Sequence, residues 1–381
     1  MKVAYLLGSL NRGGTETLLL DVFRNAKRNG LNAIGVSRKS GVLEMEFIQS
    51  GTPLHTLPFR KNIFAYLFQL RKLLKSNSID IVHAQQTIDA LYSWIACYGT
   101  GIKIIQTFHG YDSDESILNK FIVRFVIWMT DINIYVSENQ RKYYQDKYNL
   151  NNKNQRVVYN GISFDKFESY LANDNSARSL SRISNKSLRT ELVLSNDGLL
   201  FGSIGNFNSV RDQMTICFFL KCLNEENINF HFVFVGKRVG NVSYLFDNCL
   251  NYCTQNGFSD KVSFLGARND VPSILSQLDA FVYATNHDTF GIAVVEALSV
   301  GIPVFVNDWD VMREITEEGR YATIYKSKDE TDLMNHFLSF INCPFEYREK
   351  ANAASILVRN KYSIENHINA LKIVYNELIL N

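Results

Sequence analysis

Short apolar runs alternate with longer amphipathic stretches along most of this 381-residue chain. Apolar runs bounded by turn residues are typical of buried strands, and apolar positions three and four apart are typical of the helices that cover them. The pattern predicts strands at residues 2–7, 32–36, 79–84, 103–107, 132–136, 156–159, 200–204, 231–235, 262–265, 280–284, 303–306 and 322–325. This alternation of strands and helices indicates an α/β protein with βαβ units, mostly parallel sheets and ligand sites at the carboxyl ends of the strands.

The alternation breaks once, over residues 168–198, where no strand pattern is visible. The segment contains Asn173-Asp174-Asn175-Ser176 and a run rich in serine, arginine and asparagine that continues to Ser187. Segments of this composition are typical of loops and linkers. We therefore predict a first domain over 1–168, a linker over 169–198 and a second domain over 199–360, followed by an amphipathic helix within 361–381.

The composition fits two globular cores, because 46% of the residues are hydrophobic and 20% are charged. The net charge of +2 argues against a nucleic-acid-binding protein, which would carry a basic excess. No apolar run has the length of a transmembrane helix, and the first residues are typical of a strand rather than of a signal peptide. None of the six cysteines belongs to a CxxC pair, so we expect reduced thiols in a cytoplasmic protein and no metal site.

In the first half, candidate chemistry follows the ends of the predicted strands. Gly13 and Gly14 come after the first strand and open a helix, where backbone N–H groups and the helix N-terminus favour an anion. A plain tight turn would give the same pattern. Polar residues also lie at the ends of later strands, among them His83, Gln85 and His109. A lone histidine is more often structural than functional, so both interpretations stay open for His109.

In the second half, two loops carry groups suited to a phosphate and to sugars. Gly205 allows a close backbone approach, and Arg211 offers the planar fork that binds phosphate oxygens, although a solvated loop arginine is the plainer interpretation. Asp288 precedes a helix that begins near Gly291, and Glu296 lies inside that helix. This spacing suits a ligand with a polyol at each end and a phosphate between them. The alternative is a helix-capping Asp288 and a surface Glu296.

Taken in order along the chain, these pieces resemble the retaining glycosyltransferases of family 4, also called group 1, which have the GT-B fold. The resemblance rests on Gly13-Gly14-Thr15-Glu16, residues 80–84, His109-Gly110, residues 136–138, residues 160–162 with Phe167, residues 205–211, 264–266, 288–296 and 301–304, and Glu314. It implies two Rossmann-like domains facing each other across a cleft that binds the donor, with the C-terminal helix returning to the first domain.

The resemblance also implies roles for single residues. Gly13 and Gly14 would give backbone amides to the donor phosphates, His109 and Asp288 would lie by the transferred sugar, and Glu296 would contact the ribose. The remaining donor contacts would come from Gly205, Asn206, Arg211, Gly266, Phe290, Gly291 and Ile292. On the acceptor side we expect Glu16, His83 and Gln85. The chain departs from the family at Asn206, where an arginine is usual, at Arg211, where a lysine is usual, and at Asp288, where a glutamate is usual.

The function implied is retaining transfer of a sugar from a UDP- or GDP-linked donor to a hydroxyl acceptor. The expected acceptor is a lipid-linked glycan in cell-surface polysaccharide biosynthesis, for lipopolysaccharide or capsule. The resemblance also implies that no metal or other cofactor is needed, so that stabilisation of the leaving diphosphate would fall to Arg211, helix N-termini and backbone amides. The alternatives are a nucleotide-sugar epimerase of the same architecture and a non-catalytic sugar-nucleotide-binding protein. The departures at Asn206 and Asp288 suggest the second of these.

Residues 59–75 suggest a contact with the inner face of the cytoplasmic membrane. Apolar residues recur there at helical spacing, at Ile63, Phe64, Leu67, Leu70 and Leu74. Basic residues surround them, at Arg60, Lys61, Arg71, Lys72 and Lys75. A basic helix with aromatic bulk can lie in an anionic headgroup layer, but the same stripe can also pack on the sheet of the first domain.

Overall fold

The computed structural model describes residues 1–59, 62–112, 116–151, 153–165, 167, 187–195 and 197–380. The chain divides into two compact units. The first unit comprises Met1–Ser163 together with Tyr362–Asn381, and the second comprises Phe164–Lys361. Most of the predicted linker over 169–198 lies outside the described residues. Its described part contains a short helix, which belongs to the second unit.

The first unit contains a parallel sheet of seven strands in the order β3-β2-β1-β4-β5-β6-β7. The strands are β1 Val3–Leu7, β2 Ala33–Ser37, β3 Leu54–Thr56, β4 Ile81–Ala84, β5 Lys103–Phe108, β6 Ile132–Tyr135 and β7 Gln155–Val157. The helices between them are α1 Gly14–Ala26, α2 Glu44–Gln49, α3 Ile63–Ser76, α4 Thr87–Cys97, α5 Ile117–Met129 and α6 Glu138–Tyr148.

The central strand β1 is apolar throughout because both faces of the sheet are covered there. In β1, Val3, Tyr5 and Leu7 pack into one hydrophobic cluster, while Ala4 and Leu6 pack into another. Successive side chains of a strand point to opposite faces, so a doubly covered strand reads as an unbroken apolar run.

The second unit contains a parallel sheet of six strands in the order β10-β9-β8-β11-β12-β13. The strands are β8 Leu199–Ile204, β9 Phe230–Val235, β10 Val262–Phe264, β11 Ala280–Tyr283, β12 Val304–Asn307 and β13 Thr323–Tyr325. The helices are α7 Leu188–Glu191, α8 Gln213–Glu225, α9 Tyr244–Gln255, α10 Val271–Leu275, α11 Ile292–Ser299, α12 Asp310–Ile315, α13 Glu330–Asn342 and α14 Pro344–Lys361. Strand order reverses between β8 and β11, which is where such sheets bind ligands.

The last helix, α15 Ile364–Leu380, belongs to the first unit, which confirms the predicted return of the chain. Ile368, Leu371 and Tyr375 join the core that contains β1 and α1. The Tyr375 hydroxyl lies 2.7 Å from the hydroxyl of Tyr5, so the helix also contributes a buried polar contact. Across the described ranges, no helix combines the length and the hydropathy needed to cross a bilayer.

Candidate functional site

Three neighbouring strands of the second unit each lead into a glycine at their carboxyl ends. Gly205 follows β8, Gly236 follows β9 and Gly266 comes two residues after β10. The Gly205 amide donates to Val235 O and the Gly236 amide to Gly266 O, both at 2.8 Å. A Cβ atom on Gly236 would lie 2.0 Å from Gly205 O, so only glycine lets these loops approach so closely.

Arg211 lies at the point where the strand order of this sheet reverses. Its main chain forms an antiparallel bridge to Thr285, just after β11, and its Nε would lie 3.0 Å from a Cβ placed on Gly205. The guanidinium packs over the ring of Tyr283, 4.5 Å from the ring centroid. Burial lowers the pKa of Arg211 and the neighbouring Asp288 opposes that shift. The structure therefore holds a largely buried cation at the edge where ligands of such sheets bind.

Asp288 is the anionic partner of that cation. Arg211 Nη1 donates to Asp288 Oδ2 at 2.8 Å, and the Tyr283 hydroxyl donates to the same oxygen. The other oxygen, Oδ1, accepts from the backbone amides of Phe290 and Gly291 at 3.2 and 3.1 Å. Asp288 thus does two things: one oxygen organises the turn before α11, as in the capping interpretation, and the other oxygen holds Arg211.

The other predicted donor residues of this segment lie in the turn before α11 and in the helix itself, each in a different environment. Gly291 is the N-cap of α11 and has φ of 81°, and a Cβ there would also lie 2.7 Å from Met312 Cε, so glycine is required. Phe290 is buried with 2% of its surface exposed, which makes it an anchor of the turn. Ile292 begins the helix and Glu296 lies half-buried within it.

Asn206 lies at the end of β8 and binds the neighbouring strand rather than Arg211. Its Oδ1 accepts from the backbone amide of Lys237 at 2.9 Å, two residues after the end of β9. Gly266 has φ of 66°, and no atom would crowd a Cβ there, so the space beside its Cα is open. The structure therefore brings Gly205, Asn206, Arg211, Gly266 and the 288–296 segment to one edge of the second sheet.

The first unit has a cavity of about 370 Å³ at the carboxyl ends of β1, β4 and β5. The predicted residues Glu16, Gln85 and His109 line it, together with Gly8, Gln106 and Asp112. Burial raises the pKa of the Glu16 carboxyl, whose Oε2 would lie 2.5 Å from a Cβ on Gly13. Gly13 caps α1 and Gly14 begins it, so the glycine pair opens this helix as the sequence predicts.

His109 is a neutral imidazole in this cavity. Burial lowers its pKa from 6.5 to about 3, and His367 contributes in the same direction. Its Nε2 lies 2.7 Å from Gln85 Oε1. Because an amide oxygen only accepts hydrogen bonds, Nε2 carries the proton and donates to Gln85.

His83 is held in the core, and it does not line the cavity. Its Nδ1 lies 2.6 Å from the Tyr375 hydroxyl and its Nε2 lies 2.7 Å from Thr107 Oγ1. Burial lowers its pKa. Both ring nitrogens are therefore engaged in joining β4 to β5 and to α15, which is a structural role.

Sequence reasoning missed Gln106, a cavity residue that is 1% exposed. Its Nε2 donates to Thr87 Oγ1 at 3.1 Å, while its Oε1 has no hydrogen-bond partner within the described part of the chain. A buried amide oxygen without a hydrogen-bond partner costs free energy. This oxygen is therefore suited to accept a hydrogen bond from a ligand. The available signal was a glutamine directly after the apolar pair Ile104-Ile105, near the end of strand β5.

Comparison with known proteins covers both units. The model of Glycosyltransferase Family 4 matches residues 12–166, and the model of Glycosyl transferases group 1 matches residues 184–357. The UDP-Gal:alpha-D-GlcNAc-diphosphoundecaprenol alpha-1,3-galactosyltransferase of Escherichia coli is 23% identical over 330 residues, which cover 83% of this chain and 80% of that protein.

Solved structures show the same fold. A glycosyltransferase from Rickettsia africae ESF-5 aligns with a TM-score of 0.87 at 16% identity, over 100% of this chain and 99% of that one. Anabaena Alr3699/HepE in complex with UDP aligns with a TM-score of 0.85 at 16% identity, over 99% of this chain and 100% of that one.

Proposed function

The chain belongs to the group 1 glycosyltransferases with the GT-B fold, which use nucleotide sugars, and we propose that it transfers a hexosyl group from a nucleoside-diphosphate sugar to an acceptor hydroxyl with retention at the anomeric carbon. The observation that carries this proposal is the Arg211–Asp288 pair at the strand-order reversal of the second sheet. It puts a cation suited to a diphosphate beside a carboxylate suited to sugar hydroxyls.

On this proposal, donor binding exchanges the partners of Arg211. Negative charge develops on the leaving diphosphate, and a guanidinium held in a site of low dielectric stabilises it far more than it would in water. A phosphate oxygen would take the place of Asp288 Oδ2 at Arg211 Nη1. Asp288 would keep its two backbone donors and the Tyr283 hydroxyl, and would accept from a hydroxyl of the transferred sugar.

We assign the remaining donor contacts to the backbone of the same edge. The amides around Gly205, Gly266 and Gly291 belong to loops where a ligand can approach the main chain closely. Glu296, one turn into α11, would contact the ribose. Gly13 and Gly14 at the start of α1 would give amides to the diphosphate from the first unit. With Arg211 and these groups in place, the reaction would need no divalent metal or other cofactor.

The cavity of the first unit is our candidate for the acceptor. Its volume of about 370 Å³ lies in the usual range for ligand sites, roughly 300–1,000 Å³. Its lining supplies a carboxylate, two amides and a neutral imidazole, from Glu16, Gln85, Gln106 and His109. Such groups suit sugar hydroxyls, which donate and accept in turn. His109 would act here as a hydrogen-bonding group rather than as a cation, because its pKa is low.

The comparisons support a UDP-linked donor and a lipid-linked glycan acceptor more than other choices. The Escherichia coli relative is named for UDP-Gal and for a diphosphoundecaprenol-linked sugar, and the Anabaena structure contains UDP. A GDP-linked donor is the second choice. The corresponding biological process would be assembly of a cell-surface polysaccharide at the inner face of the cytoplasmic membrane.

Helix α3 supports membrane contact through a face that shares only Phe64 with the predicted stripe. Leu70 and Leu74 are buried in the core, so that part of the stripe packs on the sheet. Phe64 and Phe68 remain 81% and 70% exposed. Lys72 and Lys75 follow them at helical spacing, so an aromatic and basic face results. Arg60 and Lys61 lie outside the described residues.

The neighbouring helices also expose apolar side chains. Helix α3 packs on α4 and α4 packs on α5. Helix α5 exposes four large apolar side chains, those of Ile117, Leu118, Phe121 and Trp128. Arg71 is less available than predicted, because its Nη1 donates to the carbonyls of Ala96 and Tyr98 at the end of α4, at 2.7 and 2.8 Å. Large apolar surface beside lysines is typical of proteins that bind a membrane or a partner.

The membrane contact is tested by sedimentation with anionic and neutral liposomes at low and high salt. We expect binding to anionic vesicles that weakens in high salt and in the double variant Phe64→Ser, Phe68→Ser. The matched control is Phe345→Ser in the second unit, whose side chain is also 70% exposed. Equal binding by the double variant and the control would rule out this face.

The catalytic proposal is tested with purified protein, a panel of UDP- and GDP-hexoses and a lipid-linked acceptor. We expect acceptor-dependent release of the nucleotide and a product whose anomeric configuration matches that of the donor. Conversion of the donor sugar without an acceptor would favour the epimerase. Nucleotide binding with neither transfer nor hydrolysis would favour the non-catalytic alternative.

A further inference from the structure

The loop after β8 has two cations near it. Arg211 lies on the side of β11, and Lys237 lies on the side of β9. Strands β8 and β9 are parallel, with Ile204 beside Val235, and the pairing continues to a bridge between Phe207 and Arg238. This register places Lys237 directly beside Asn206. Neighbouring strands lie about 4.8 Å apart, so the backbone of Lys237 is about one strand spacing from the loop after β8. Arg211 lies on the other side of this loop.

The main chain of Lys237 is fixed, whereas its ammonium group has no partner among the residues that the structure describes. Its backbone amide donates to Asn206 Oδ1 at 2.9 Å, and its carbonyl accepts from the Phe207 amide at 3.0 Å. The side chain is exposed, and its Nζ makes no hydrogen bond or ion pair within the described ranges. The position is therefore defined while the charge is free to meet a ligand.

The adjacent Arg238 is different, although it carries the same charge. Its Nε and Nη2 donate to the two carboxylate oxygens of Asp247, at 3.0 and 2.7 Å. Its charge is thus neutralised by the protein itself. Of the two cations that follow β9, Lys237 is the one whose charge is not paired in the described part of the chain.

We propose that Lys237 is a second phosphate-binding cation of the donor site, supplying from β9 the positive charge that Asn206 does not carry on β8. This inference rests on the proposed function, since it assumes that a nucleoside diphosphate binds at this edge. A diphosphate carries more than one negative charge, and Arg211 alone would leave part of that charge uncompensated. Asn206 then acts as a positioning residue, because its Oδ1 fixes the backbone that carries Lys237.

The test compares Lys237→Gln with Arg238→Gln, which removes the same formal charge one residue away. UDP and uridine are titrated into each protein by calorimetry, with GDP and guanosine in parallel. We expect Lys237→Gln to weaken diphosphate binding about tenfold and to leave nucleoside binding unchanged, because only the diphosphate meets the cation. Arg238→Gln should bind like the wild-type protein, and Lys237→Arg should retain most of the affinity.

Salt dependence gives a second measurement that a merely structural role would not change. The wild-type affinity for UDP should fall with rising salt more steeply than that of Lys237→Gln. Equal diphosphate affinity and equal salt dependence in Lys237→Gln and Arg238→Gln would overturn the inference and leave the proposed function intact. A wild-type protein that binds neither nucleotide and transfers no sugar would overturn the proposed function, and the inference with it.

Discussion

Replacing Asp288 by asparagine separates the two roles of this carboxylate. The amide oxygen can still accept from the backbone amides of Phe290 and Gly291, so the turn before α11 should persist. The amide nitrogen, however, takes the place of the oxygen that accepts from Arg211 and Tyr283. The tyrosine hydroxyl can rotate and accept instead, but a guanidinium has only donors. Arg211 is therefore left without its anion.

The size of the loss follows from the burial of the pair. Exposed ion pairs contribute up to about 1 kcal/mol, and breaking a fully buried pair costs about 3–5 kcal/mol. The side chains of Arg211 and Asp288 are 18% and 15% exposed, between these limits. We expect the free energy of unfolding to fall by about 2 kcal/mol. For a unit of this size that corresponds to a decrease in Tm of roughly 4–8 °C.

The assay is thermal unfolding with and without UDP, with GDP in parallel, together with turnover. Because a diphosphate can supply the missing anion, the nucleotide should raise the Tm of Asp288→Asn by more than it raises that of the wild-type protein. Turnover should fall, since the carboxylate that would contact the sugar is gone. The control is Asp247→Asn, which removes the anion of the exposed Arg238 and should leave the Tm close to that of the wild-type protein, because water screens this pair. An unchanged Tm, or equal nucleotide stabilisation of both proteins, would refute the reasoning.

The other predictions concern Arg211, Glu296, the metal requirement and His109. Arg211→Ala should lower kcat/KM by at least about 2 kcal/mol in transition-state terms, and normal transfer by this variant would show that Arg211 has no such role. Glu296→Ala should weaken nucleotide binding more than it lowers kcat, as measured by titration and steady-state kinetics; an unchanged nucleotide affinity would contradict a ribose contact. Activity should survive EDTA, and a loss that manganese restores would contradict metal independence. Burial lowers the pKa of His109 from 6.5 to about 3, so the unfolded chain takes up this proton first and stability is lost as the pH falls from about 6.5. His109→Gln should therefore reduce the slope of the free energy of unfolding against pH by up to about 1.4 kcal/mol per pH unit in that range, and an identical slope would show that His109 is not buried in the neutral form.

The α/β architecture could be predicted from the sequence because most strands are buried on both faces and read as apolar runs. The pattern did not predict β3, Leu54–Thr56, which has three residues and lies at the edge of its sheet. An edge strand is only partly covered, so His55 and Thr56 occur where a central strand would have apolar residues. The C-terminal helix was visible from its amphipathic pattern, and its return to the first unit followed only from the family resemblance.

The candidate site was less accessible from the sequence, because contacts across the sheet are not encoded in local spacing. Nothing near Arg211 in the sequence indicates that Asp288, 77 residues later, neutralises it. Likewise, the choice between a structural and a functional histidine depends on what surrounds the ring. The structure places His83 between Tyr375 and Thr107, and it places His109 against Gln85 in a cavity. The roles assigned to these residues in binding and catalysis stay predictions.

The return of α15 to the first unit sets the order in which the protein can be completed during synthesis. The first unit needs Ile368, Leu371 and Tyr375 to fill its core, yet residues 164–361 leave the ribosome before them. At roughly 5–20 residues per second, that interval lasts on the order of 10–40 seconds. Throughout this time the surface of β1 and α1 that α15 will cover is bare, and by its end the whole second unit is available to fold. The half of the protein that is translated first is therefore the half that is finished last.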